Sequence, residues 1–141
     1  YMRQGVMTET QAQSLRAAVE HRENILIAGG TGSGKTTLAN AILAEPAFRG
    51  DRVLIIEDTR ELQCSSPDCV EMLTKRTDPP ITMDDLVRHA LRLRPDRIIV
   101  GEVRGGEALS MLKAWNTGHP GGLATVHANS AEDALARLED L

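Results

Sequence analysis

Aromatic side chains are nearly missing from this sequence of 141 residues, in which Tyr1, Phe48 and Trp115 are the only three. Proteins that bind single-stranded nucleic acid usually stack the bases on such side chains. Positive charge is also in deficit, with 16 basic against 20 acidic residues and a formal net charge of −4. Both features argue against a domain that binds nucleic acid directly through phosphates and bases.

Cysteines and long hydrophobic runs are scarce too. No apolar run approaches the roughly 20 residues that a helix needs to cross a bilayer. Cys64 and Cys69 are the only cysteines, too few to form a structural zinc site by themselves, and we interpret them as free thiols. The remaining composition, 41% hydrophobic and 26% charged, is that of one ordinary globular domain with an aliphatic core.

Short apolar runs alternate with helical patterns along the chain. The runs predict buried strands at 24–28, 52–57, 97–101 and 122–126, and a short edge strand at 70–73. Helices are predicted after the capping box at 8–11, over 34–44, 82–92 and 105–117, and from 130 onward. This alternation is typical of an α/β fold, a mostly parallel sheet with helices on both faces. Ligands of such sheets bind beyond the carboxyl ends of the strands.

A glycine-rich loop follows the first predicted strand. Its residues, GGTGSGKT, match the phosphate-loop pattern G-x-x-x-x-G-K-S/T between a strand and a helix. Glycine allows successive backbone N–H groups to converge on phosphate oxygens, and the helix that follows adds its positive end. The predicted nucleotide-binding residues are Gly29, Gly30, Thr31, Gly32, Ser33, Gly34, Lys35, Thr36 and Thr37.

Acidic and histidine side chains follow the other predicted strands. The second strand ends in EDTRE, the third runs into GEVR, and the fourth runs into His127. Hydrolysis of a triphosphate requires a carboxylate that orients water, oxygen ligands for magnesium and a group near the γ-phosphate. Glu102 would lie beside the phosphate loop if the third strand neighboured the first. Acidic residues at strand ends also cap helices, and His127 could equally be a helix-terminus histidine.

Four segments together carry a specific resemblance: GGTGSGKTTLANAIL, IIEDTREL, LRLRPDRIIVGEVRGGEAL and TGHPGGLATVHANS. The chain resembles the type II/type IV secretion ATPase family, and within it the TrbB-type conjugal transfer ATPases. In that family these segments are the Walker A motif, the Asp box, the Walker B motif and the His box, in this order.

The resemblance implies a RecA-like P-loop core over residues 1–141 that binds ATP and Mg²⁺. It also implies a homo-hexamer in the full-length protein, cytoplasmic and peripheral to the bacterial inner membrane, which powers conjugal DNA transfer or type IV secretion with other machinery proteins. The family's N-terminal domain and C-terminal helices have no counterpart in the chain, so we expect a fragment that hydrolyses ATP poorly.

Residue roles are carried over from the family by position. Phosphate and magnesium fall to Lys35 and Thr36, and the Asp box is Glu57, Asp58 and Glu61. Glu102 is the Walker B glutamate. The residues expected to act in catalysis are Glu102, Glu61, Glu57, His127 and Arg104, and those expected near the metal are Thr36, Glu102 and Asp58. Glu102 is favoured for the metal and water shell, with Glu61 or Glu57 as the rival activating base.

Other functions remain open at this stage. A nucleotide-gated interaction module with little turnover, or another P-loop enzyme such as a kinase, would share the phosphate loop. Besides Arg104, both Arg92 and Arg94 are candidates for phosphate-directed or interface arginines.

Overall fold

The computed structural model describes residues 5–141; the first four residues of the predicted domain lie outside this range. The strands are β1 (Ile25–Ala28), β2 (Val53–Glu57), β3 (Cys69–Leu73), β4 (Arg97–Val103) and β5 (Leu123–Val126). The helices are α1 (Glu9–Glu20), α2 (Lys35–Leu43), α3 (Met83–Ala90), α4 (Glu107–Asn116) and α5 (Ala131–Asp140). Short 3-10 turns cover Pro46–Phe48 and Leu91–Leu93.

All five strands form one parallel sheet in the order β1-β5-β4-β2-β3. The α/β fold with a parallel sheet is therefore confirmed, and β3 is the short edge strand that the sequence predicts. Glu102 would lie beside the phosphate loop if β4 neighboured β1. This condition is not met, because β5 lies between β4 and β1, the strand that leads into the loop.

The end of β4 differs from the sequence prediction. β4 continues two residues past Gly101, so that Glu102 and Val103 belong to the strand rather than to the loop after it. Its pairing with β5 shifts register between Val100 and Val103. Such an irregularity bends a strand and redirects the side chains beyond it.

Alternate residues of the strands face two helical layers, as the two-residue period of a strand requires. On one face, Ile27, Ile55 and Ile99 contact a cluster with side chains of α1 and α2. On the other, Ile98 and Val100 pack with side chains of α3 and α4. Every residue of β2 and β5 is buried, which explains their continuous apolar sequence. Helices cover both faces of the sheet, as predicted.

Helix starts follow the predicted capping chemistry. Thr8 and Thr82 each form a capping box, and the Ser130 side chain accepts a hydrogen bond from the Asp133 amide. Cys64 and Cys69 are free thiols, as interpreted from the sequence. No helix among residues 5–141 is both long enough and apolar enough to cross a bilayer.

A buried ion cluster joins the amino ends of the strands. Arg97, which is 2% exposed, donates from Nε to Asp51 Oδ2 at 2.5 Å and from Nη2 to the Val19 carbonyl at 3.0 Å. Arg22 donates to the second oxygen of Asp51 at 2.5 Å. The Arg97 guanidinium also lies 4.6 Å from the centre of the Phe48 ring. The cluster fixes this end of the sheet, at the edge opposite to the phosphate loop.

Candidate functional site

An open cleft of about 670 Å³ lies at the carboxyl edge of the sheet. That volume is within the usual range of small-molecule sites, roughly 300–1,000 Å³. The sequence-predicted residues that line it are Thr31, Gly32, Lys35, Thr36, Glu57, Asp58, Glu61, Glu102, Arg104 and His127. The predicted residues that do not line it are Gly29, Gly30, Ser33, Gly34 and Thr37, although all five belong to the loop or the first turn of α2.

The phosphate loop owes its shape to two glycines in the left-handed region. Gly32 has φ of 72° and Gly34 has φ of 91°, values that other residues rarely adopt. Gly34 is the N-cap of α2, so the positive end of that helix faces the cleft. Lys35 Nζ donates to the carbonyls of Gly29 and Gly30, both at 2.9 Å. The ammonium group therefore lies over the loop itself, where it could contact an anion bound by the loop amides.

Glu57 ends β2 as a buried carboxylate, only 4% exposed. Its Oε1 accepts hydrogen bonds from the amides of Glu61 and Leu62, both at 3.1 Å. Its Oε2 is buried without a hydrogen-bond partner among the described residues. Burial raises the pKa of Glu57, and the two amide hydrogen bonds only partly oppose it. A Cβ at Gly101 would lie 2.8 Å from Glu57 Cγ, so only glycine on β4 leaves room for this side chain.

Glu61 is brought back over the phosphate loop by the turn that Glu57 holds. Its Oε2 accepts a hydrogen bond from Thr36 Oγ1 at 3.2 Å. The Asn40 side chain supports this position from α2, because Nδ2 donates to the Glu61 carbonyl at 3.0 Å and Oδ1 accepts from the Gln63 amide at 2.8 Å. Asn40 is not among the residues predicted from the sequence. Its spacing of four residues from Thr36, which places both on one face of α2, was the signal that could have found it.

Arg104 joins two of the predicted carboxylates. Its guanidinium forms an ion pair with Glu102, with Nε 2.7 Å from Oε2, and reaches Asp58 Oδ2 at 3.1 Å. Asp58 also accepts a hydrogen bond from Thr74 Oγ1 at 2.7 Å. The hydrogen bond to Glu102 raises the pKa of Arg104. These contacts fix the Asp box relative to β4, and they engage both carboxylate oxygens of Asp58 and one oxygen, Oε2, of Glu102.

His127 follows β5 and is exposed at the rim of the cleft. Arg92 and Arg94 do not line the cleft: they lie just before the first residue of β4, at the amino edge of the sheet. His119 is also at that edge, where its Nδ1 lies 2.7 Å from the Pro95 carbonyl oxygen. Two arginines that sequence reasoning did not assign, Arg76 and Arg137, do line the cleft.

Magnesium fits the donor set of the cleft. Mg²⁺ prefers oxygen ligands and is often held by one or two carboxylates together with substrate phosphates. The Thr36 hydroxyl beside the Glu61 carboxylate, with the unpartnered Glu57 Oε2 nearby in the same cleft, provides such oxygens. Residues 5–141 contain no group of three or more His, Cys, Asp or Glu side chains that could bind a metal without the substrate.

A glycine-rich phosphate loop before α2, in a parallel sheet with carboxylates beyond two further strands, defines the class of P-loop nucleotide-binding domains. Within that class, the family model described as "Type II/IV secretion system protein" matches residues 1–141. The chain belongs to this family, as its four motifs indicate.

Individual proteins agree with this assignment. The chain is 57% identical over 143 residues to the conjugal transfer protein TrbB of Rhizobium radiobacter, covering 100% of this chain and 43% of TrbB. Its fold is similar to the crystal structure of the VirB11 ATPase of the Brucella suis type IV secretion system in complex with sulphate. That match has a TM-score of 0.81 and 36% identity and covers 90% of this chain and 38% of VirB11.

The pilus retraction motor PilT with bound ADP is similar as well, with a TM-score of 0.72 and 30% identity over 92% of this chain and 38% of PilT. The RecA-like core predicted from the sequence is thus confirmed by its structural neighbours. The chain spans less than half the length of each of these relatives.

Proposed function

We propose that this chain is the ATP-binding and ATP-hydrolysing core of a motor that powers conjugal DNA transfer or type IV secretion. The observation that carries the proposal is the contact between Thr36 and Glu61. It joins the hydroxyl that ligates magnesium in P-loop proteins to a carboxylate of the Asp box at the mouth of the phosphate loop. A loop that only turned the chain would have no need of this contact.

Nucleotide binding is assigned to the loop amides, the start of α2 and Lys35. The amides and the helix end supply partial positive charge at a site for phosphate oxygens. Lys35 Nζ lies within 2.9 Å of two loop carbonyls, and a short rotation of its flexible stem brings it to the β- and γ-phosphates. The similar motor PilT binds ADP, which supports nucleotide binding by this chain.

The carboxylates divide into two groups with different roles. Asp58 and Glu102 share Arg104, so this trio orders the floor of the cleft and keeps a cation near the phosphates. Glu61 is left as the carboxylate beside the magnesium-binding hydroxyl, and we assign the metal and water shell to it in preference to Glu102. Bound Mg²⁺ would neutralise the charge that develops on the phosphates.

Glu57 acts in this scheme as a positioning residue. Its carboxylate holds the amides of Glu61 and Leu62, which fixes the turn that presents Glu61. His127 at the cleft rim is assigned to the γ-phosphate.

Assembly belongs to the same proposal. The family resemblance implies a homo-hexamer in the full-length protein at the cytoplasmic face of the inner membrane. The TrbB and VirB11 relatives support a role beside other conjugation or secretion components. We propose that the additional length of the relatives supplies ring contacts. For the 141-residue chain alone we expect ATP binding, slow hydrolysis and no stable hexamer.

Calorimetric titration with Mg²⁺ and ATP tests the proposal. We expect binding by the wild-type chain and a loss of at least about tenfold in affinity for Lys35→Ala, which removes a charged phosphate contact. Glu61→Gln should retain ATP binding and lose hydrolysis, measured as phosphate release. ATP binding that survives Lys35→Ala unchanged would show that the nucleotide lies elsewhere.

A further inference from the structure

The cleft contains two arginines for which the motifs give no role. Four basic side chains line it: Lys35, Arg76, Arg104 and Arg137. Lys35 donates to loop carbonyls, and Arg104 is paired with two carboxylates. Within residues 5–141, the guanidinium groups of Arg76 and Arg137 form neither an ion pair nor a hydrogen bond. An arginine without a carboxylate partner in a cleft built for phosphates is available to an anionic ligand.

Arg137 is placed on the side of the cleft nearest the phosphate loop. It belongs to α5, which follows β5, and β5 pairs directly with β1, the strand that leads into the loop. Within α5, Ala134 is buried against the sheet and Leu138 packs against the core. These contacts fix the helix on both sides of Arg137. Side chains in a helix lean toward its N-terminus, here toward the carboxyl edge of the sheet, so the guanidinium lines the cleft together with His127.

Arg76 enters the cleft from the far side. It follows β3 in a short loop closed by the antiparallel bridge between Lys75 and Ile81. In the strand order, β3 stands four positions away from β1. At about 4.8 Å per strand, that separation is roughly 19 Å, measured from the strand that leads into the loop. Arg76 therefore provides the same charge in the same cleft, from the strand that is farthest from β1.

We infer that Arg137 is a phosphate-binding residue that contacts the terminal phosphate and distinguishes a triphosphate from a diphosphate. This inference rests on the proposed function. The loop amides surround the α- and β-phosphates in P-loop sites. A cation that enters from the His127 side therefore has the γ-phosphate as its available partner. The planar guanidinium can bind that group through two parallel hydrogen bonds.

The test compares ATP and ADP, each with Mg²⁺, by calorimetric titration into the 141-residue chain. For Arg137→Ala we expect an ATP dissociation constant raised about tenfold and an ADP dissociation constant changed by less than about twofold. Arg137→Lys keeps the charge but loses the geometry for two parallel hydrogen bonds. Its affinity for ATP should therefore lie between those of the wild type and Arg137→Ala. Arg76→Ala is the matched control and should leave both affinities unchanged. Thermal melts of each variant check that the fold is retained.

Each other outcome has a defined meaning. Equal losses of ATP and ADP affinity in Arg137→Ala, or no loss at all, would overturn the role assigned to Arg137. A loss in Arg76→Ala as large as that in Arg137→Ala would show a general charge effect and overturn it too. If Lys35→Ala alone abolishes binding, the proposed function stands without this inference. If the wild-type chain binds neither nucleotide, both fail.

Discussion

Replacing Arg97 by methionine should destabilise the fold severely while leaving the nucleotide site unchanged. The side chain is 2% exposed, and methionine fills a similar volume without the charge or the donors. Three hydrogen bonds would be lost, to Asp51 Oδ2 and to the carbonyls of Val19 and Gly121. Asp51 would stay buried with Arg22 as its remaining partner.

The magnitude follows from what the substitution leaves behind. Removing one member of a buried ion pair costs about 3–5 kcal/mol, because the other charge remains desolvated and only partly compensated. Arg22 is half-exposed and still pairs with Asp51, so we place the loss at the lower end, about 3 kcal/mol. Since domains of this kind have roughly 5–15 kcal/mol of stability in total, the variant should still fold at room temperature.

Urea unfolding followed by circular dichroism measures the change in the free energy of unfolding. The Asp51→Asn variant and the double variant complete a thermodynamic cycle, in which we expect the double variant to lose less than the sum of the two single losses. Affinity for ATP should not change, because Arg97 is at the sheet edge opposite to the cleft. A loss below about 1 kcal/mol, or strict additivity, would refute the view that this pair is strongly coupled.

Two further predictions concern titratable groups. Burial raises the pKa of Glu57 above its ordinary 4.5. The Glu57 carboxyl group therefore binds its proton more tightly in the folded state than in the unfolded state. Its contribution to stability is therefore greatest below that value and is lost as the pH rises through the interval up to the folded-state pKa. Glu57→Gln should remove this slope in urea titrations across acidic to neutral pH; an unchanged slope would assign it to other groups. Burial also raises the pKa of Cys69 to about 11. Alkylation of Cys69 by a maleimide should thus be slow at neutral pH and accelerate as the pH rises toward that value, whereas fast labelling at neutral pH would contradict the burial.

Much of the fold could be predicted from the sequence because its signals are local. Apolar runs too short for helices mark the strands, capping boxes at Thr8 and Thr82 mark helix starts, and glycines mark the phosphate loop. The order of strands is set by packing between distant segments, which a single sequence does not reveal. For this reason the sequence does not predict the position of β5 between β1 and β4, and it places Glu102 beside the loop only on the condition that β4 neighbours β1.

The candidate site, too, could be predicted from the sequence only in part. Lys35 and Thr36 are set by a contiguous motif, so their position at the cleft follows from the sequence alone. The distinction between Glu61 and Glu102 depends on side-chain contacts: Glu102 pairs with Arg104, two residues along the chain, whereas Glu61 reaches Thr36 on α2. The second contact is long-range, and a single sequence does not reveal it. Arg137 has no motif of its own, and only the folded chain brings it to the cleft rim. The assigned roles of all these residues remain predictions.

The Asn40 side chain links α2 to the loop that follows β2. Its Nδ2 donates a hydrogen bond to the Glu61 carbonyl, and its Oδ1 accepts one from the Gln63 amide. Both contacts originate from the helix whose first turn carries Lys35 and Thr36. A displacement of that helix would therefore be passed on to residues 61–63 through these two hydrogen bonds. In the proposed function, occupation of the loop and alignment of the Glu61 carboxylate would then be linked through this one side chain.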